Sequence, residues 1–201
     1  MKPATILFVL TLFSAGLTGF TDKDKISSCY LSFDKATGLT RGAIDQLPEH
    51  AAKSRMVKTE HGMVEISRTD GYRILYNTVK NATFVNVKVE RSQPGSYETD
   101  KKRLLENLTY LHQHTQNMEG SGLTQLSYNG YQIWGSSRNT IKEGNTLGTF
   151  VMFPGNDITV YFYFNNPEPG LRNFENLEEY KSERNLFIGA YTSHLKSCAA
   201  Q

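Results

Sequence analysis

Cysteine is scarce in this chain: Cys29 and Cys198 are the only two in 201 residues, they stand near opposite ends, and no Cys-x-x-Cys pair occurs. Redox catalysis through a paired resolving cysteine is therefore unsupported. Charge of one sign is also missing, since 22 Lys plus Arg face 20 Asp plus Glu for a net +2. Such a balance gives no reason to expect a nucleic-acid partner or an acidic substrate. Glycine and proline are ordinary, no tract is compositionally biased, and no repeat recurs at a fixed period. The dinucleotide fingerprint, the Walker loop and the His-Glu-x-x-His motif are absent, and Gly120-Ser121-Gly122 is too short and lacks the lysine to cradle phosphate. No Gly-x-Ser-x-Gly elbow presents a nucleophile, and Gly135-Ser136-Ser137 lies in a strand pattern. These absences leave no catalytic residue and no cofactor to assign.

Long hydrophobic runs are missing too, apart from Ala4 to Phe13 behind the basic start Met1-Lys2-Pro3. Ten apolar residues fall short of the roughly 20 that a spanning helix needs. Small residues follow, so residues 1–19 read as a signal peptide, with an uncleaved anchor as the rival. A lipoprotein is disfavoured because Cys29 lies beyond the charged stretch Thr21 to Lys25. The expectation is a secreted or periplasmic protein with no stable membrane insertion after cleavage. In an oxidising compartment a Cys29–Cys198 bridge is favoured over two unpaired thiols. A loop that long contributes about 5 kcal/mol in the chain-entropy model.

Hydrophobic content of 38% and aromatic content of 11% suffice for one domain with a real core. Residues 20–62 are poorly specified, with Tyr30 to Phe33 as a short extended piece and Glu49 to Val57 as a short helix. Residues 63–201 form an α+β domain. Thr69-Asp70-Gly71 between alternating runs predicts a hairpin turn. Thr83 to Arg91 alternates Val85, Val87 and Val89 on a core face with Phe84, Asn86, Lys88 and Glu90 on a mostly wet one. Tyr97 to Gln116 predicts an amphipathic helix on Leu104, Leu108 and Leu111, with Lys102 facing Glu106 and Asp100 facing Arg103.

From Leu123 to Asn166 period-two patterns alternate with turn signals, Asn129-Gly130 first and Pro154 to Asp157 later, which predicts an antiparallel meander. Its last strand points Ile158, Val160, Phe162 and Phe164 one way, Thr159, Tyr161 and Tyr163 the other. Asn176 with Glu179 resembles a capping box opening a terminal helix that carries Leu177, Tyr180, Arg184, Phe187, Ile188, Tyr191 and Leu195 at helical spacing. Gly189 in that helix marks close approach to a strand. The fold class is α+β, an antiparallel meander sheet flanked by two long helices.

This order of elements, with the Asn129-Gly130 turn, the run Ile158 to Phe164 and the final helix through Phe187 to Tyr191, resembles the PsbP-like α/β/α sandwich. The resemblance covers about Met63 to Ser197 and implies a fold whose members act mostly in binding and assembly without catalysis. It carries no site motif onto this chain.

Two candidate sites remain. His112 and His114 point to different sides of a helix, but fraying at Leu111 would let both ligate a metal with Glu119 as oxygen donor. Tyr161, Tyr163 and Trp134 form either a covered second face of the sheet or an exposed aromatic surface for a protein partner or small ligand. The resulting expectation is an exported, noncatalytic binding or assembly module; the alternative is a small secreted enzyme, a metal-dependent hydrolase using the histidines.

Overall fold

The computed structural model describes residues 28–34, 39–47, 54–78, 83–141, 144–166 and 173–199. The expected signal peptide over residues 1–19 lies outside them. Among the described residues eight strands, β1 (Leu39–Gln46), β2 (Ser54–Thr59), β3 (Gly62–Thr78), β4 (Thr83–Ser92), β5 (Thr124–Tyr128), β6 (Tyr131–Ser137), β7 (Asn145–Gly155) and β8 (Ile158–Asn166), make one sheet, accompanied by helices α1 (Tyr97–Gln113) and α2 (Leu177–Ala199). The strand order is β1-β3-β4-β8-β7-β6-β5, β2 pairs with β3, and the pairings are antiparallel. The meander β5 to β8 thus folds back from the far edge until β8 lies beside β4, and α1 carries the chain across. No described helix is long and apolar enough to cross a membrane.

Alternation on β8 assigns the two helices to opposite faces. Ile158, Val160, Phe162 and Phe164 join Val85, Val87, Val89, Phe150 and Met152 beneath Tyr180, Phe187, Ile188, Tyr191 and Leu195 of α2. Tyr161 and Val151 join Leu104 and Leu108 of α1. Successive strand residues face opposite sides, so each helix buries one face and the layers run helix, sheet, helix. Phe187 is the hub of the α2 side, within aromatic packing distance of Phe33, Tyr76, Phe84, Phe162, Phe164 and Tyr191. The Phe150 ring lies over Gly135, its cross-strand partner, where a Cβ would collide with it.

Turn chemistry behaves as the residues dictate at β5–β6, where Asn129 and Gly130 have φ of 54° and 91°, the left-handed pair a type I′ turn requires. Between β7 and β8 the left-handed pair is Asn156 and Asp157. Ahead of α2 the Asn176 side chain accepts from the Glu179 amide at 2.9 Å, while the Glu179 carboxylate accepts from the Glu175 amide at 2.7 Å, one residue earlier than in the standard box. Gly189 faces the Tyr128 ring of β5, and the Asn129 side chain donates to the Gly189 carbonyl.

Four local expectations are corrected. Thr69-Asp70-Gly71 is no turn: β3 runs through it, with an irregularity in register between Arg68 and Asp70, and the real reversal is Glu60-His61 between β2 and β3. Gly71 does not adopt positive φ; its Cα lies close under Leu47, whose terminal methyl would have to move to admit a Cβ. The expected helix over Glu49 to Val57 gives way to β2 from Ser54 onward, because Arg55, Val57 and Thr59 alternate inward and pair with β3. Residues 28–32 are helical rather than extended. The face of β4 read as wet is covered, and Phe84 lies in the α2-side core because a register shift opposite Tyr76 and Asn77 puts it on the same face as Val85. Segment 20–62 therefore supplies two strands to the sheet.

Cys29 and Cys198 form a disulfide with Cα atoms 5.9 Å apart. It fastens the 28–33 segment to the last turn of α2. Beside it Phe33 is buried against Tyr191 and Phe187, and the Tyr76 hydroxyl donates to the Phe33 carbonyl at 2.9 Å.

Candidate functional site

The tyrosine-bearing face of the sheet is covered by α1 and the β2–β3 hairpin, and between these layers lies a cavity of about 260 Å³. Five elements line it: Arg55 and Val57 from β2, Lys88 from β4, Leu104 and Leu108 from α1, Thr149 and Val151 from β7, and Tyr161 and Tyr163 from β8. β2, β7 and β8 each supply residues two apart, which period-two geometry points to the same face. On α1 the residues are four apart, one helical turn.

Tyr161 is 4% exposed and its ring stacks on Tyr163 at 6.0 Å with planes 11° apart. Its hydroxyl accepts from Arg55 Nη2 at 2.8 Å and from Arg68 Nη2 at 3.2 Å. Burial pushes the Tyr161 phenol up to about 12, a rise that the two arginines oppose. Burial likewise raises Tyr163. Both phenols are neutral at any physiological pH and serve as apolar rings with a polar tip.

At one end of the cavity stands a buried ionic cluster. Glu90, itself buried, accepts from Arg55 Nη1 and Lys88 Nζ on one oxygen and from Arg68 Nε at 3.0 Å on the other. Arg68, 1% exposed, also donates to Asp100 at 2.7 Å and to Ser92 Oγ at 2.9 Å. Burial alone would raise the Glu90 carboxyl, but Arg55, Lys88 and Arg68 together hold it down at about 2. Lys88 moves the opposite way: burial, with Arg55 and Arg68 adding repulsion, lowers its ammonium despite the Glu90 contact. One carboxylate is thus shared among three cations.

The expected pairing of Asp100 with Arg103 is replaced by this Arg68 bond, and Arg103 donates to the Glu65 carbonyl. The pairing of Lys102 with Glu106 is present at 4.0 Å.

Trp134 shares the α1-side cluster, half-buried with its ring 5.8 Å from Phe153, but does not line the cavity with Tyr161 and Tyr163. The three metal candidates are not brought together. His112 is buried, with Nδ1 3.1 Å from Ser136 Oγ and Nε2 3.4 Å from the Gly120 carbonyl. His114 stacks on Tyr110 at 4.0 Å with Nδ1 facing the Tyr110 carbonyl. Glu119 takes Lys181 of α2 at 2.8 Å. α1 continues past Leu111 to Gln113, so the fraying that would have aligned the histidines does not occur. Among the described residues no group of three His, Cys, Asp or Glu is placed to hold a metal.

Sequence reasoning missed Arg55, Arg68, Lys88, Glu90 and Asp100. The one signal was Lys88 and Glu90 on the same face of β4 as each other, a pattern shared by any solvated strand face. The His112–Ser136 pair, a base beside a hydroxyl, was also missed. It ties the end of α1 to β6, and the second ring nitrogen faces a backbone carbonyl rather than a carboxylate orienter. Compared with known proteins, the chain matches no family model, no curated protein and no solved structure.

Proposed function

We propose that this chain is an exported, noncatalytic binding module that takes a small ligand into the cavity between α1, the β2–β3 hairpin and the tyrosine face of the sheet. The observation that carries the reading is the cavity itself: about 260 Å³, walled by Leu104, Leu108, Val57 and the paired rings of Tyr161 and Tyr163, with Arg55 and Lys88 as its charged groups. Small-molecule sites have this composition, a mostly apolar wall with a few convergent polar groups. Export is supported by the Cys29–Cys198 disulfide, a bond that persists in oxidising compartments, and by the signal-peptide pattern of residues 1–19. The element order resembling the PsbP-like sandwich points the same way, since members of that fold mostly bind and assemble.

The test is a small-fragment screen on the full chain, read by methyl NMR. Fragments that bind shift the methyl signals of Val57, Leu104, Leu108 and Val151. Thr149→Phe, which places a ring into the cavity from β7, abolishes those shifts while the remaining spectrum stays folded. A screen in which no fragment shifts these methyls overturns the reading.

A further inference from the structure

The cavity has a polarity that its volume alone does not reveal. Its two cations, Arg55 and Lys88, stand together at the Glu90 end, and no carboxylate is among its lining residues. Behind them the linked ionic groups do not balance: Arg55, Arg68 and Lys88 share Glu90 and Asp100, which leaves one positive charge in excess. Lys88 and Arg55 are 23% and 30% exposed, so the excess sits on the groups that reach the cavity and not on the enclosed Arg68. Away from these two groups, Leu104, Leu108 and Leu111 of α1 and Val151 of β7 supply apolar wall, with Asn107 and Thr149 as the uncharged polar groups. Leu108 and Leu111, together with Thr149, are shared with a neighbouring cavity of about 170 Å³ that turns polar at Ser136, Arg138 and Thr146, so an apolar chain leaving the cationic end runs along the leucines of α1 and ends before that space.

Partly buried positive charge in excess is costly, and an anion that enters the same low-dielectric space offsets that cost while forming charge-assisted hydrogen bonds. Burial already weakens the Lys88 ammonium, so a second carboxylate beside it restores the charged form. Size follows from volume: a dry cavity of about 150 Å³ admits benzene, which scales to roughly ten non-hydrogen atoms for this one. Resting on the binding reading above, we infer that the cavity takes a small monoanionic amphiphile, its carboxylate against Lys88 and Arg55 and an apolar tail of about seven carbons along Leu104 and Leu108.

Calorimetric titration of the full chain with octanoate, octanamide and octylammonium tests this, because the three share a tail and differ in head charge. Octanoate binds at least tenfold tighter than octanamide, and octylammonium gives no heat. Lys88→Met, which keeps an unbranched stem of similar length, brings octanoate down to the affinity of octanamide measured on the same variant; Lys88→Arg retains the preference. Methyl NMR places the bound tail at Val57, Leu104 and Leu108. If octanamide binds as tightly as octanoate, or Lys88→Met keeps the preference, the anionic class is wrong while the binding reading stands. If octanoate shifts only the exposed Met56 and Met63 signals, the site is wrong. If none of the three probes binds, the inference fails, and the binding reading falls with it only when the fragment screen is also empty.

Discussion

Arg68 is the residue on which the α1 side of the sheet depends most. Its guanidinium is enclosed, and it pairs with Glu90 and Asp100 while also bonding Ser92 and Tyr161. Arg68→Met leaves Asp100 without its cation and weakens the hold on Glu90 in a buried space, so we expect a loss of about 3–5 kcal/mol in chemical denaturation. Glu90 gives the acid dependence. Its folded value of about 2 lies below its ordinary 4.5, so its contribution to stability is complete above about 4.5 and is lost as pH falls toward 2. Glu90→Gln is therefore less stable at neutral pH and shows a flatter decline of the urea midpoint over that window. A midpoint profile parallel to the parent would show that Glu90 is not the group responsible. None of this was legible in the chain, because Lys88 and Glu90 alternate on β4 in the manner of a wet strand face. The covering hairpin comes from a segment whose own pattern is weak.

At the scale of elements, the meander and α2 were readable and the first third of the sheet was not. β8 alternates cleanly because both of its faces are packed by different partners, and α2 shows its stripe because one side is buried against the sheet and the 28–33 segment while the other is not. Phe187 sits in the middle of that stripe, 2% exposed and surrounded by rings from β3, β4, β8 and the 28–33 segment. Phe187→Ala opens a cavity where no neighbour can collapse freely, and a loss of about 3–5 kcal/mol is expected from thermal or urea unfolding. A loss under 1 kcal/mol would mean that α2 docks through other residues. β3 was misread for a specific reason: an Asp-Gly pair is a hairpin signal when it needs positive φ, yet here neither residue adopts it and the glycine lies in a continuous strand under the Leu47 side chain. A turn and a close approach leave the same residue in the sequence.

For the molecule as a whole, the Cys29–Cys198 bridge closes a loop of 169 residues and holds the 28–33 segment, with Tyr30 and Phe33 in the core, against α2. A Cys29→Ser, Cys198→Ser variant should lose up to about 5 kcal/mol relative to the oxidised parent, with dithiothreitol producing the same shift in the parent and none in the variant. Unchanged stability under reduction would show that ring packing around Phe33 suffices without the bond. By itself the sequence determined the composition of the layers: a meander with one strongly apolar face, two amphipathic helices and two cysteines able to join the ends. Periodicity carries that information because it depends only on neighbours along the chain. Which helix covers which face, that the tyrosines line a cavity rather than an open surface, and that five charged side chains meet beneath α1 were decided only in three dimensions. Those outcomes depend on pairing between segments far apart in sequence, where a charged residue bound for solvent and one bound for a buried partner look the same.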